Sequence, residues 1–245
     1  MKQLLSLFCL CFIATTTLAE SQFNDEPMRH GGIYVRAAGN YNWIFSHDVK
    51  FTQGTSTLVT NGFHGVKIKT SRVGGEASAG VLFPLQVYYL GVEAEYQYLG
   101  TPNLGANQFI RNLGSANSIN NKTIIQTAGI NLRLVNFFAG NNRAFIEAGG
   151  GAVFFNSTTT VSVAGSTPSA VTQKVETNKP YVSAGLGLGH DYTPNVEFDV
   201  DAVIQYLGNY NLGTFYNDAP TFSPLTMQAR NVYVATVSFG VTFSA

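Results

Sequence analysis

The chain has 245 residues, and its 14 Lys+Arg residues balance its 14 Asp+Glu residues. Charged residues make up only 11% of the chain, which also has 25 glycines, so the composition excludes both a charge-rich soluble protein and a disordered one. The absence of a basic excess argues against nucleic acid as a partner. The length suits one domain, because all-β barrels reach this size undivided.

The N-terminus has the three parts of a secretory signal peptide. Lys2 supplies the positive region, residues 4–14 form a nearly unbroken apolar run, and a small-x-small site ends at Ala19. The apolar run is too short to span roughly 30 Å of membrane as a helix. We therefore predict a cleaved signal peptide at 1–19, a periplasmic lead-in at 20–31 and a β-barrel at 32–245.

After the lead-in, short segments alternate between apolar and polar residues, as strands do when one face is oily and the other wet. In 196–206, for example, Glu197, Asp199 and Asp201 interleave with Val196, Phe198, Val200 and Ala202. No segment has the roughly 18 consecutive apolar residues of a membrane-spanning helix. The eight predicted strands are 33–43, 72–83, 88–98, 123–134, 144–154, 181–192, 196–206 and 233–243.

Three features favour a membrane barrel over a soluble sandwich, in which the apolar face would point inward. The apolar faces carry aromatic residues such as Trp43 and Tyr206 near one end, where an interfacial girdle belongs. The opposite faces are rich in Gly, Ser and Ala, as suits a narrow interior. Short connections (84–87, 135–142, 193–195) alternate with long ones (44–71, 99–122, 156–180, 207–230), as in outer-membrane barrels.

Several segments resemble the eight-stranded outer-membrane barrels of the OmpA, OmpX and opacity-protein type. They are Gly-x-Glu-x-Ser-x-Gly at 74–80, the glutamate-bearing strand at 90–96, the Gly-alternating strand at 183–189 and the final strand ending at Phe243. The resemblance covers roughly 31–243 and implies an all-β, antiparallel, up-and-down transmembrane barrel of about eight strands. It specifies architecture more than activity, since such barrels include adhesins, anchors, small pores and a few enzymes. We expect no counterpart of the peptidoglycan-binding domain that follows the barrel in some members.

We predict no catalytic, metal or cofactor site, and no enzyme activity. Cys9 and Cys11 both lie in the predicted leader, so the mature chain has no thiol. Of the histidines, His30, His47 and His64 fall in the lead-in or first long connection, and His190 falls near a short turn. None has the neighbours of a triad or a metal site. The run 185–189 lacks the strand-turn-helix context of a phosphate loop.

The inward faces carry a set of charges. Counting about the first short turn places Glu76 opposite Glu95, and Arg36 is the natural partner of that carboxylate pair. Counting about the second places Asn131 opposite Glu147, with Arg133 on the diagonal. Two interpretations remain open: a charge network that fills a closed barrel, or a narrow hydrated lumen with an acidic excess. The predicted interior set is Arg36, Glu76, Glu93, Glu95, Arg133, Glu147, Glu197, Asp199, Asp201 and Arg230.

These patterns favour a monomeric surface barrel, structural or adhesive, whose four long loops could bind a host or cell-surface ligand. A passive channel for small cations or solutes is the alternative, and an outer-membrane enzyme a further one. Outer-membrane lipid and lipopolysaccharide would surround the wall. The last strand resembles the signal read by the barrel-assembly machinery, with Gly240 and Phe243 as its main positions, although Ala245 stands where an aromatic residue is usual.

Overall fold

The computed structural model describes residues 32–53, 56–57, 69–109, 116–138, 141–163, 170–215 and 225–245. Eight long strands form one antiparallel sheet that closes on itself, because the first strand pairs with the last. Two short strands, β2 and β5, extend this wall by pairing with β1 and β6. The predicted all-β barrel of about eight strands is therefore confirmed. The strands are β1 Gly32–Gln53, β2 Ser56–Thr57, β3 Lys69–Leu85, β4 Tyr88–Gly100, β5 Asn103–Phe109, β6 Ala116–Phe138, β7 Asn142–Val163, β8 Ala170–Thr193, β9 Val196–Phe215 and β10 Leu225–Ser244.

The two ends of the barrel differ. The short connections β3–β4, β6–β7 and β8–β9 lie at one end, together with Gly32 and Ser244, which begin and end the wall. We call this the turn end and the opposite one the loop end. The connections at the loop end are much shorter than predicted, because most of 44–71, 99–122, 156–180 and 207–230 is strand. These segments are rich in Thr and Val, which favour strands, and they pair with the adjacent strands of the wall.

Two aromatic girdles mark the outward surface. On β10, the exposed rings of Tyr233 and Phe243 lie ten residues apart, with Val237 and Phe239 exposed between them. About 9–11 strand residues cross the hydrocarbon core of a bilayer, so this spacing fits a membrane. The girdle nearer the loop end, which we call the upper girdle, consists of Tyr41, Trp43, Tyr96, Tyr98, Tyr206 and Tyr233. The girdle nearer the turn end, the lower girdle, consists of Phe83, Tyr192, Phe198 and Phe243. None of the described residues forms a helix long and apolar enough to cross a membrane.

The predicted strand register is wrong by two residues at both of the first two short turns. Glu76 pairs with Gln97, and Glu95 pairs with Ser78, because Leu85 stays in β3 and Gln86 takes a left-handed backbone conformation (φ 38°) in a two-residue turn. Glu76 and Glu95 are therefore diagonal neighbours. Arg133, not Asn131, pairs with Glu147, because β6 continues to Phe138.

Candidate functional site: the filled barrel interior

Arg36 of β1 is the centre of the first ion-pair group in the interior. Its Nε lies 2.9 Å and its Nη2 2.6 Å from Asp199 Oδ1 on β9. The same guanidinium also forms ion pairs with Glu76 on β3 and Asp201 on β9. All four side chains are almost wholly buried. Such hydrogen-bonded pairing is what a charge needs when it is removed from water.

Arg133 of β6 is the centre of a second group. Its Nη2 lies 2.9 Å from Glu147 Oε2, and its Nη1 lies 3.4 Å from Glu93 Oε2. The Tyr34 hydroxyl donates a hydrogen bond of 2.7 Å to the same Glu93 oxygen. The ring of Phe145 lies under the guanidinium at 4.4 Å, a cation–π contact. Glu93 therefore connects the strands β1, β4 and β6 through its side chain.

A third arginine lies near the turn end. Arg143 of β7 forms an ion pair with Glu197 of β9. The sequence-based set omits Arg143, because the predicted strand begins at 144 and leaves it outside. β7 begins at Asn142, and Arg143 then shares the inward phase of Phe145 and Glu147. The sequence does contain a signal for Arg143, because it lies two residues before Phe145 and therefore on the same face of the strand.

Glycines make room for these charged groups. A Cβ built on Gly240 of β10 would lie 2.7 Å from both Arg36 Nε and Asp199 Oδ1. A Cβ on Gly189 of β8 would lie 2.0 Å from the Glu197 carboxylate. The predicted role of the strand glycines as interior space therefore agrees with their geometry at these positions.

An apolar cluster fills the barrel on the loop side of the charges. On several strands, the residue directly after an upper-girdle aromatic points inward, is fully buried and belongs to this cluster: Ile44 follows Trp43, and Leu207 follows Tyr206. The rings of Phe155 and Tyr210 stack at 4.2 Å within this cluster. Sequence reasoning predicts a polar, glycine-lined interior throughout and misses this layer. The members are Ile44, Val49, Leu99, Ile125, Val153, Phe155, Tyr181, Leu207, Tyr210, Leu212, Met227, Ala229, Val232 and Val234.

The structure brings nine of the ten predicted interior charges to the inner face of the wall between the girdles. The tenth, Arg230, lies beyond the upper girdle and is only half-buried. Its predicted place is wrong because a bulge with Asn231 in a left-handed conformation (φ 49°) changes the phase of β10, so that Ala229 takes the inward position. Asn209 Oδ1 accepts a hydrogen bond of 2.7 Å from the Asn231 amide and holds this bulge.

The other predicted positions divide between the outer surface and the undescribed part of the chain. His190 is exposed on the outer face, where its Nδ1 lies 2.9 Å from Asn142 Oδ1. Phe243 is exposed on the outer face at the turn end. The signal peptide and lead-in at 1–31, His64, and residues 164–169 of the third long connection lie outside the described residues.

The interior charge network of the described wall includes three arginines and seven carboxylates: Arg36, Arg133 and Arg143, and Glu76, Glu93, Glu95, Glu147, Glu197, Asp199 and Asp201. Three of these carboxylates, Glu76, Glu93 and Glu95, each place an oxygen within 4.8 Å of the others. Asn131 donates a hydrogen bond to Glu95, and Gln97 donates one of 3.2 Å to Glu76. The ion pairs leave an acidic excess in the middle of the barrel.

No protein-family model and no curated sequence matches the chain. Among solved structures, the outer membrane protein OprG from Pseudomonas aeruginosa is 10% identical, with 88% of this chain and 97% of that chain covered and a TM-score of 0.51. The outer membrane protease OmpT from Escherichia coli is 9% identical over 91% and 99%, with a TM-score of 0.49. Ail, the attachment invasion locus protein of Yersinia pestis, is 14% identical over 87% and 99%, with a TM-score of 0.40.

At these identities the likeness to OprG shows the fold and carries no argument about activity. Together with the closed ring of eight strands and the two girdles, it confirms what the resemblance of the sequence implies. The chain has the fold of the eight-stranded outer-membrane β-barrels.

Proposed function

We propose that this protein is a non-enzymatic surface barrel of the bacterial outer membrane, which displays the loop end of its wall to the outside as a structural or adhesive platform. The observation that carries the proposal is the apolar cluster behind the upper girdle. It fills the lumen with side chains such as Phe155, Leu207 and Tyr210, which favours a rigid wall over a water path.

The length of the strands supports display. β7 has 22 residues and β8 has 24, whereas about 9–11 residues suffice to cross the hydrocarbon core. The remainder of this hairpin continues beyond the upper girdle, where pairs of hydroxyls such as Thr160 and Thr172 (3.0 Å apart) lie across the two strands. A hairpin of this kind would hold a short connection well above the membrane surface.

The proposed orientation puts the loop end outside and the turn end in the periplasm. Export would remove residues 1–19, and the wall would contact lipid and lipopolysaccharide. The loop-end connections would carry any affinity for a host or cell-surface ligand, because specificity in such proteins resides in loops on a rigid scaffold. They are rich in Asn, Thr, Ser and Gly, a composition suited to adaptable hydrogen bonding.

An exchange of loops tests the adhesive role. Cells that display the barrel with 164–169 replaced by a Gly-Ser segment should lose binding to epithelial cells or matrix proteins, while the amount of folded barrel stays unchanged. A matched control exchanges 194–195 at the turn end, where adhesion should be unaffected. If both exchanges leave adhesion intact, the third connection carries no adhesive role.

A narrow cation channel is the second candidate, and the acidic excess of the interior favours it. Planar-bilayer recordings separate the two functions. We expect the wild-type barrel to be silent, because the apolar cluster offers no polar path for ions. A steady cation-selective conductance, enlarged by Phe155→Ala inside the barrel but not by Phe154→Ala on its outer face, would instead support the channel.

A further inference from the structure

Three carboxylates form an acidic group in the barrel interior, beside the ion pairs of Arg36 and Arg133. Glu76 lies on β3, while Glu93 and Glu95 lie on β4, and one oxygen from each falls within 4.8 Å of the other two. Arg36 and Arg133 form ion pairs with Glu76 and Glu93 of this group, but both also pair with carboxylates outside it: Arg36 with Asp199 and Asp201, and Arg133 with Glu147. Positive charge from the chain therefore does not balance this group, and an uncompensated buried charge is costly.

Two buried polar atoms at the same place have no hydrogen-bond partner. The first is Glu93 Oε1, in a side chain that is fully buried. The second is the hydroxyl of Ser78, a residue that is only 8% exposed. Ser78 points inward on β3, two residues after Glu76 and directly opposite Glu95 in the strand register. Unsatisfied atoms of this kind need a partner, because a buried polar atom without one loses its interaction with water.

We propose that Glu76, Glu93 and Glu95, together with the Ser78 hydroxyl, bind one hard divalent cation of the Ca²⁺ class inside the barrel. All four donors are oxygens, which hard cations prefer. Ca²⁺ holds its ligands at about 2.3–2.6 Å, so two ligands on opposite sides of the ion lie up to about 5 Å apart. The 4.8 Å spread of the three carboxylate oxygens fits that separation without movement of the strands.

The size of the group also discriminates between cations. Mg²⁺ holds its ligands at about 2.0–2.1 Å and demands near-ideal octahedral geometry, so the same oxygens would have to move closer together. The hydrogen bonds from Asn131 to Glu95 and from Gln97 to Glu76 hold the carboxylates in place. Each carboxylate oxygen has two lone pairs, so these bonds leave capacity for a cation. The site goes beyond the display function and does not depend on it.

The test uses the full-length mature barrel, folded in detergent without lipopolysaccharide, whose phosphates bind divalent cations themselves. After treatment with EDTA, addition of Ca²⁺ should raise the thermal unfolding midpoint by roughly 5 °C near saturation. Mg²⁺ should shift it less. Tb³⁺, which takes similar oxygen ligands, should show emission sensitised by Tyr34, whose hydroxyl lies 2.7 Å from Glu93 Oε2.

Glu93→Gln should abolish the Ca²⁺-dependent shift and the Tb³⁺ emission. The matched control is Glu147→Gln, which removes another interior carboxylate bonded to Arg133 but outside the cluster, and which should keep both signals. Ser78→Ala removes only a hydroxyl and should weaken Ca²⁺ binding even if Glu93→Gln does not fold. The proposal is overturned if the wild type shows neither signal, or if Ser78→Ala and Glu93→Gln retain both. The proposal is also overturned if acidification alone raises the thermal unfolding midpoint and no Tb³⁺ emission appears. Bound protons, not a metal ion, would then neutralise the excess carboxylates.

Discussion

Arg36 on β1 reaches across β10 to Asp199 on β9, with 2.9 Å between Arg36 Nε and Asp199 Oδ1. The contact passes over Gly240, which pairs with Ala38 on one side and Asp199 on the other. The junction between the first and last strands is therefore joined twice, by the backbone ladder and by buried ion pairs. This is the place where a barrel wall must close and where an open sheet edge would otherwise be exposed.

Loss of the Arg36 side chain should destabilise the barrel. Arg36→Ala leaves Glu76, Asp199 and Asp201 without their shared cation, and removal of one partner from a buried pair costs on the order of 3 kcal/mol. The free energy of unfolding, measured by urea titration in lipid vesicles, reports the loss. The exposed Lys122→Ala on β6 is a control and should change little. An unchanged midpoint for Arg36→Ala would mean that water screens the interior charges.

A methyl group at Gly240 should act on the same contact. Gly240→Ala places a Cβ 2.7 Å from both partners of the Arg36–Asp199 pair and should cost about 1–3 kcal/mol of unfolding free energy through overpacking. Gly39→Ala on β1 is the matched control, because no atom lies within 4 Å of a Cβ at that position. Equal stability of the two variants would contradict the close packing at the junction between the first and last strands.

The sequence predicts which residues of the wall face outward better than it predicts which interior side chains contact one another. Period-two alternation requires only that one face be lipid-facing, and it identifies the outward residues of every long strand. Register depends on turn geometry, which a sequence leaves open by a residue or two. Pro84 remains in β3 and pairs with Tyr89, although a proline near a turn suggests the end of a strand. That difference changes the cross-strand partner of Glu76 from the predicted Glu95 to Gln97.

The interior was harder to predict because its apolar layer breaks the alternation. Consecutive apolar residues such as Trp43-Ile44, Tyr98-Leu99 and Phe154-Phe155 put an aromatic residue outside and an aliphatic or aromatic one inside at the same height. Each pair alone looks like the end of a strand. Repetition of the pair on several strands is the signal that indicates a filled lumen at the upper girdle.

The proposed orientation makes a prediction about access from outside the cell. A protease recognition sequence inserted within 164–169 should be cut in intact cells, because this connection joins the long strands β7 and β8 at the loop end. The same sequence inserted at 194–195 should be cut only after the outer membrane is made permeable. The opposite pattern would reverse the orientation of the barrel.

The last prediction concerns assembly. Phe243 is the last large outward side chain of β10 and is 52% exposed, lying between Val35 of β1 and Val196 of β9 in the register. Ser244 and Ala245, which follow it, carry no aromatic ring. A partner strand edge would therefore dock mainly on Phe243, since large apolar rings dominate such contacts. Phe243→Ala should slow insertion, while Ala245→Phe should leave the rate equal or raise it.

Phe239 provides the matched control for this prediction. It lies on the same face of β10, is 59% exposed, and sits in the register between Gly39 and Val200, four residues from Phe243. Both alanine variants lose a similar lipid-facing area and should lose a similar unfolding free energy. Only Phe243→Ala should lower the rate at which folded, heat-modifiable barrel accumulates in proteoliposomes that carry the assembly machinery. If the two variants insert at the same rate, Phe243 is one more lipid-facing ring, and recognition of the last strand rests on other positions.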